Sequence, residues 1–300
     1  MKTVTGFHGV YPMVYALFDR AGGLDRAQMR RQVEALLAAG VHGIAVLGLA
    51  SEVNKLSLAE RRTLLDWVAE DVGGRRPVAV TVAEPSIAGQ QEFVAAAAAV
   101  GAAWVILQPP PVKGVPDAEL VRFFGAVAGR STLPVGIQNA PEYLGIGLSP
   151  SGVRDLNRAH PNVSILKLEA TAIAIRRILD AVGDGIDVFN GHGGIELPDA
   201  MRAGAVGSIP GGESADILTR IFDLMASGSA GEAEAERLYA TVLRPLVLLM
   251  ESMDTFLVYG KRLLGHRLGL PDPDPRTPFT PPSEFGLSLV RRYAEAMGPL

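Results

Sequence analysis

Short apolar runs alternate with amphipathic segments at a near-regular interval from the N-terminus to about residue 226, and this repetition constrains the fold more than any other feature. The runs cover residues 9–16, 43–48, 78–83, 103–108, 135–138, 163–168, 186–189 and 205–209. Each has the length and apolarity of a buried strand. Helix-like stretches lie between them: 24–39 with Asp25 near its start, then 85–100, 117–128, 149–158, 172–182 and 215–226. The segment Ser57-Leu58-Ala59-Glu60 reads as a capping box that opens a further helix.

Strand–helix alternation implies parallel pairing through right-handed crossovers. Eight such units in about 230 residues fit a closed (β/α)8 TIM barrel, which typically needs ~250 residues. The main competitor is a doubly wound sheet, and the absence of a GxGxxG fingerprint after the first strand argues against it. After residue 230 the strands stop. Residues 232–250 and 252–268 read as helices, followed by a Pro-rich stretch at 271–282 and a last helix at 283–296. The expected organisation is a catalytic barrel at 1–228 and a C-terminal helical subdomain at 229–300, packed on the barrel or on a neighbouring subunit.

Composition bounds the function. A chain that is 48% hydrophobic and 20% charged is globular with a large core. Its net charge of -4 gives no electrostatic reason to expect nucleic acid or an anionic membrane as partner. The lack of cysteine removes disulfides, thiolate nucleophiles and Cys-type zinc sites together. Residues 1–6 lack a basic region followed by an apolar run, so no secretory signal is expected. The most apolar stretch, 95–111, is broken by Gly101 and ends in prolines, so it reads as a helix end and a strand rather than a membrane span. A soluble cytoplasmic protein is expected.

A barrel places its chemistry at the C-terminal ends of the strands. Lys167 lies in one such strand, among Val163, Ile165 and Glu169 on one face. Burying an ammonium is costly, and a lowered pKa that leaves a neutral amine able to attack a carbonyl is the usual escape. The other lysines lie elsewhere: Lys2 at the terminus, Lys55 and Lys113 in loops, and Lys261 among C-terminal helix residues. Only Lys167 has the setting of a Schiff-base former. The plain alternative is a lysine at a strand end whose amine reaches solvent.

Three further segments could bind a ligand. After the second strand, Gly48-Leu49-Ala50-Ser51-Glu52 could hold a carboxylate on the amides of Ala50 and Ser51, with the Ser51 hydroxyl assisting, or be a plain approach to a helix. After the fifth, Gln138 and Asn139 precede a proline turn and Tyr143, which is either a polar rim or ordinary turn chemistry. After the seventh, Gly191-His192-Gly193-Gly194 offers close backbone approach and an accessible imidazole, or a structural turn. No HxxxH or carboxylate–histidine cluster argues for a metal. Pro210-Gly211-Gly212-Glu213-Ser214 has no basic companion, which argues against a phosphate there.

Taken together these pieces resemble the dihydrodipicolinate synthase/N-acetylneuraminate lyase family, and the resemblance covers nearly the whole chain. It rests on residues 9–18 followed by Gly22 and Asp25, and on 48–52 standing where the family has a Gly-Thr-Thr-Gly-Glu type motif. It extends through Leu56-Ser57, Glu60-Arg61, Pro161-Asn162-Val163 running on to Lys167, and Gly191. The resemblance implies a Schiff-base (β/α)8 lyase with Lys167 as nucleophile, acting on a small-molecule 2-keto acid. It also implies no metal or organic cofactor and a homo-oligomer, commonly a tetramer. The departures are informative. Leu49 and Ala50 stand where the family's loop supplies hydroxyls, and Pro109-Pro110-Pro111 where it has a tyrosine-bearing segment. Gln138 replaces its proton-relaying tyrosine, and Tyr143 falls at the arginine that some members use. A glutamine cannot do a phenol's proton transfer.

The run from Gln138 to Tyr143, together with Lys167-Leu168-Glu169-Ala170, is more similar to the family's sugar-acid branch. That implies dehydration of L-2-keto-3-deoxyarabinonate to 2-oxoglutarate semialdehyde. Tyr143, Glu169 and then His192 are the candidates for proton transfer. Ala50, Ser51, Gln138, Asn139, Gly191 and His192 would hold the substrate or a water. Two alternatives stay open: an aldolase releasing pyruvate and an aldehyde from the same Schiff base, and a non-catalytic 2-keto-acid binding protein.

Overall fold

Asp25, Ser57, Ser86, Ser149, Thr171, Ser252 and Ser283 each turn a side-chain oxygen onto the backbone N–H three residues on, and each opens a helix. Such caps satisfy a donor that the helix itself leaves orphaned. At Ser57 the partner Glu60 reaches back, completing the capping box. The computed structural model describes residues 3–271 and 273–300, and of Glu142 the backbone only; Met1 and Lys2 lie outside the described residues.

The chain order is β1 (Gly9–Val10), α1 (Arg26–Ala38), β2 (Ile44–Val46), α2 (Leu58–Val72), β3 (Val78–Val82), α3 (Ile87–Ala99) and β4 (Trp104–Leu107). There follow α4 (Asp117–Ala128), β5 (Val135–Asn139), α5 (Pro141–Leu144), α6 (Pro150–Ala159), β6 (Val163–Leu168), α7 (Ala172–Val182) and β7 (Asp187–Asn190). Then come α8 (Leu197–Arg202), β8 (Gly207–Ser208), α9 (Ala215–Ala226), α10 (Ser229–Leu249), α11 (Met253–Leu268) and α12 (Glu284–Met297).

Every strand pair is parallel, in the order β1-β8-β7-β6-β5-β4-β3-β2. Met13 closes the ring by bridging Ala45 on one side and Gly211 on the other. The chain is therefore the expected (β/α)8 barrel with helices appended at its C-terminal end. The first strand is shorter than the 9–16 expected, because Pro12 has no N–H to give a ladder and pairing resumes only at Met13. Two short helices, α5 and α8, fall outside the expected set. Four and six residues are too few to show a helical period.

Tyr11 just after β1, Trp104 on β4 and Phe189 on β7 come from parts of the ring that are not neighbours, yet their rings meet at centroid distances of 5.2–5.8 Å. Only the barrel interior can bring them together, so they form its filling. Outside the ring, α11 is buried on nearly every side, against α1, α12 and the turn at residues 212–214. Among the described residues, no helix is long and apolar enough to cross a membrane.

Candidate active site

Lys167 is the fifth residue of β6 and only 5% exposed. In register it stands between Gln138 on β5 and Phe189 on β7. Its ammonium is not left uncompensated: Nζ pairs with Oε1 of Glu169, itself buried, two residues along the same face. The second oxygen, Oε2, accepts the backbone N–H of His192.

The turn after β7 is built around that carboxylate. A Cβ on Gly191 would overlap the Glu169 oxygens, so glycine is the residue that leaves room. His192 adopts the left-handed region with φ 47, which aims its N–H. Burial pushes the Glu169 carboxyl up, but the Lys167 ammonium, its hydrogen bond and the His192 N–H outweigh burial and hold it below the usual range. Glu169 is thus a carboxylate at neutral pH.

The pair borders a cavity of about 40 Å³. Leu49 and Ala50 after β2, Gly193 after β7 and residues 209–211 after β8 form its strand-end walls. Met250, Met253 and Phe256, from the junction of α10 and α11, close it from outside. By the ~10–15 Å³ a water needs, the cavity holds about three waters.

The expected site residues divide into two groups. Lys167, Glu169 and Ala50 line the cavity, and Gly191 and the backbone of His192 cradle Glu169. The His192 ring keeps a buried Nδ1 without a hydrogen-bond partner among the described residues. Ser51 is turned inward: its hydroxyl donates to the Val14 carbonyl at 2.6 Å and accepts the Leu47 N–H at 3.1 Å. Asn139 is spent on the backbone of Leu148, donating and accepting at 3.0 Å. Gln138 is buried beside Lys167, with Oε1 taken by the Gln108 amide and Nε2 without a partner among the described residues. Tyr143, half-buried on α5, is not among the cavity's lining residues.

The thioethers of Met13, Met250 and Met253 and the ring of Phe256 were not anticipated as site residues. No short motif marks them: Met13 is placed by ring closure between Ala45 and Gly211, and Met250, Met253 and Phe256 by how α10 and α11 fold back over the barrel. Among the described residues, no group of three or more acidic or histidine side chains could hold a metal ion.

Similarity to known proteins agrees with this geometry. The sequence profile of the dihydrodipicolinate synthetase family matches residues 6–296. The chain is 30% identical over 233 residues to L-2-keto-3-deoxyarabonate dehydratase of Azospirillum brasilense, a span of 76% of this chain and 75% of that protein. In fold it resembles dihydrodipicolinate synthase from Thermotoga maritima, with a TM-score of 0.89 at 22% identity over 98% of this chain and 99% of that one. It also resembles the sialic acid aldolase of Ruminococcus gnavus, with a TM-score of 0.86 at 21% identity over 97% of both chains.

Proposed function

This chain belongs to the dihydrodipicolinate synthetase family, and on that premise we propose that it is a Schiff-base lyase that dehydrates a 2-keto-3-deoxy sugar acid, L-2-keto-3-deoxyarabinonate, to 2-oxoglutarate semialdehyde. The observation that carries the reading is the buried Lys167–Glu169 pair at the mouth of the barrel. Similarity to the Azospirillum dehydratase supports the choice of substrate.

Glu169 takes a proton from the Lys167 ammonium, and the freed amine adds to the C2 ketone. The proton passes to the departing hydroxyl, so that loss of water gives a protonated imine that draws electrons from C3. Glu169 is the base best placed for the C3 proton, in preference to Tyr143, which does not line the cavity. Before the transfer, iminium and carboxylate are an ion pair; afterwards, enamine and carboxylic acid are both neutral. A water-poor cavity favours that loss of charge. The enamine expels the C4 hydroxyl as water, with the proton returned by Glu169. Loss of a C5 proton and tautomerisation then convert the C5 carbinol to the aldehyde, and hydrolysis frees the lysine. Because the iminium is itself the electron sink, the sequence needs no metal or organic cofactor. The backbone at Ala50 holds the substrate carboxylate, and Gln138 holds a water. The family resemblance supports a cytoplasmic homotetramer.

Product identification by NMR after mixing the purified protein with L-2-keto-3-deoxyarabinonate tests this. The expected product is 2-oxoglutarate semialdehyde. Pyruvate with glycolaldehyde would make the protein an aldolase, and saturable pyruvate binding without turnover of any keto-deoxy acid would make it a binding protein.

A further inference from the structure

The turn after β2 is held in a conformation its residues do not favour. Leu47, at φ 65, and Glu52, at φ 51, are both in the left-handed region without being glycine, and they bracket the residues that face the cavity. Such backbone persists only where its surroundings over-determine it. At the Leu47 end the Ser51 hydroxyl does this, joining the Leu47 N–H to the Val14 carbonyl. At the Glu52 end the work falls to the side chain. Glu52 is fully buried, and its Oε1 meets the ammonium of Lys261, also fully buried, from α11. Its Oε2 accepts from the Arg276 backbone N–H at 3.0 Å and forms an ion pair with Lys55 Nζ at 3.0 Å. Lys261 is fixed in turn over the ring of Phe18, 4.6 Å from its centroid, and the Arg276 guanidinium lies 4.4 Å from the same ring.

We propose that Lys261, acting through Glu52, is a positioning residue that holds the turn at residues 48–51 in the form that binds the substrate carboxylate. The inference rests on the reading above that the backbone at Ala50 is the carboxylate cradle. Lys261 touches no substrate and does no chemistry. Its ion pair keeps Glu52 left-handed, and Glu52 is the hinge from which Leu49 and Ala50 are presented to Lys167. The helix also carries Met253 and Phe256 in the cavity wall, so α11 meets the site from two directions. A clamp of this kind acts on how tightly a 2-keto acid is held before the covalent step, and leaves that step itself unchanged.

The experiment is borohydride trapping of pyruvate on Lys167 in the full-length protein, followed by mass spectrometry over a pyruvate series. It compares wild type, Lys261→Met, and the double variant Glu52→Gln with Lys261→Met. The double variant removes both charges together, so it folds even where the single one, with an unpaired buried carboxylate, does not. The expected result is a rise of about tenfold in half-saturating pyruvate with the plateau rate within about threefold of wild type. A merely structural role would lower thermal stability and leave half-saturation where it was; that outcome, with wild type trapping normally, overturns the inference alone. Absence of trapping in wild type overturns the Schiff-base reading and this inference with it.

Discussion

Two lysines are buried among the described residues, and each faces a buried glutamate, yet they stand in opposite kinds of place. Lys167 ends a barrel strand and borders a cavity that also exposes its partner Glu169. Lys261 lies inside α11, fully buried, packed against Phe18 and paired with Glu52. Burial lowers Lys261 to about 8, with the Glu52 carboxylate opposing and Lys55 adding to the shift. A lowered amine by itself would mark Lys261 as a nucleophile; its complete burial leaves no carbonyl a way to reach it. A pKa suited to nucleophilic attack identifies an active site only where a carbonyl can reach the amine.

The sharpest way to break this comparison is to remove each amine. Lys167→Ala should abolish both turnover and borohydride trapping. Lys261→Met should keep trapping at high pyruvate. Trapping retained in Lys167→Ala and lost in Lys261→Met would exchange their roles. The next largest effect belongs to the carboxylate at the open site. Glu169→Gln preserves shape and one acceptor for the His192 N–H but cannot take the C3 proton, so kcat should fall by ~10²–10⁴-fold while pyruvate trapping persists. An unchanged kcat would return the proton transfer to Tyr143 or His192.

The same comparison shows what could be read before the fold was known. Lys167 was legible because a cation in an apolar strand violates a local rule, and Glu169 because strand alternation places it on the same face. The barrel was legible because its units repeat, and Ser57 with Glu60 because a capping box is a local pattern. Lys261 broke no visible rule. Helix residues with polar neighbours ordinarily face water, and here Arg262 and Arg267 are buried as well, paired with Asp274 and Asp216 across the tertiary structure. Ser51 and Asn139 show the converse, since both side chains are hydrogen-bonded to backbone groups in the fold. Hydroxyls and amides at strand ends look like ligands until the backbone groups they satisfy are known.

The closed pair should matter most to stability. Glu52→Ala leaves the Lys261 ammonium buried without its counter-ion, which should cost ~3–5 kcal/mol, with Glu52→Gln plus Lys261→Met recovering most of that loss. Thermal melts of the two variants against wild type measure it. Equal losses would mean that the shape of the turn, rather than its charge balance, holds it.

The smallest effect is the pH dependence, and its sign separates stability from function. The folded-state value of Lys261, about 8, lies below the 10.5 expected of the unfolded chain. Between those values the unfolded chain binds more protons, so stability from this group rises with pH through that window, and the cost of the buried ammonium is fully present below it. The positioning role runs the other way, because a neutral Lys261 no longer holds Glu52. The groups facing it are Glu52, Lys55, Asp274 and the Arg276 guanidinium over the shared ring. Differences between wild type and Lys261→Met cancel the titrations common to both. From about pH 7 to about pH 10 the melting-temperature difference should move in favour of wild type while its advantage in half-saturating pyruvate shrinks. If both differences stay flat, Lys261 keeps its proton across the range and the clamp is closed at every working pH. If both move in the same direction, stability and substrate affinity share one cause, and Lys261 is a structural residue that the site happens to need.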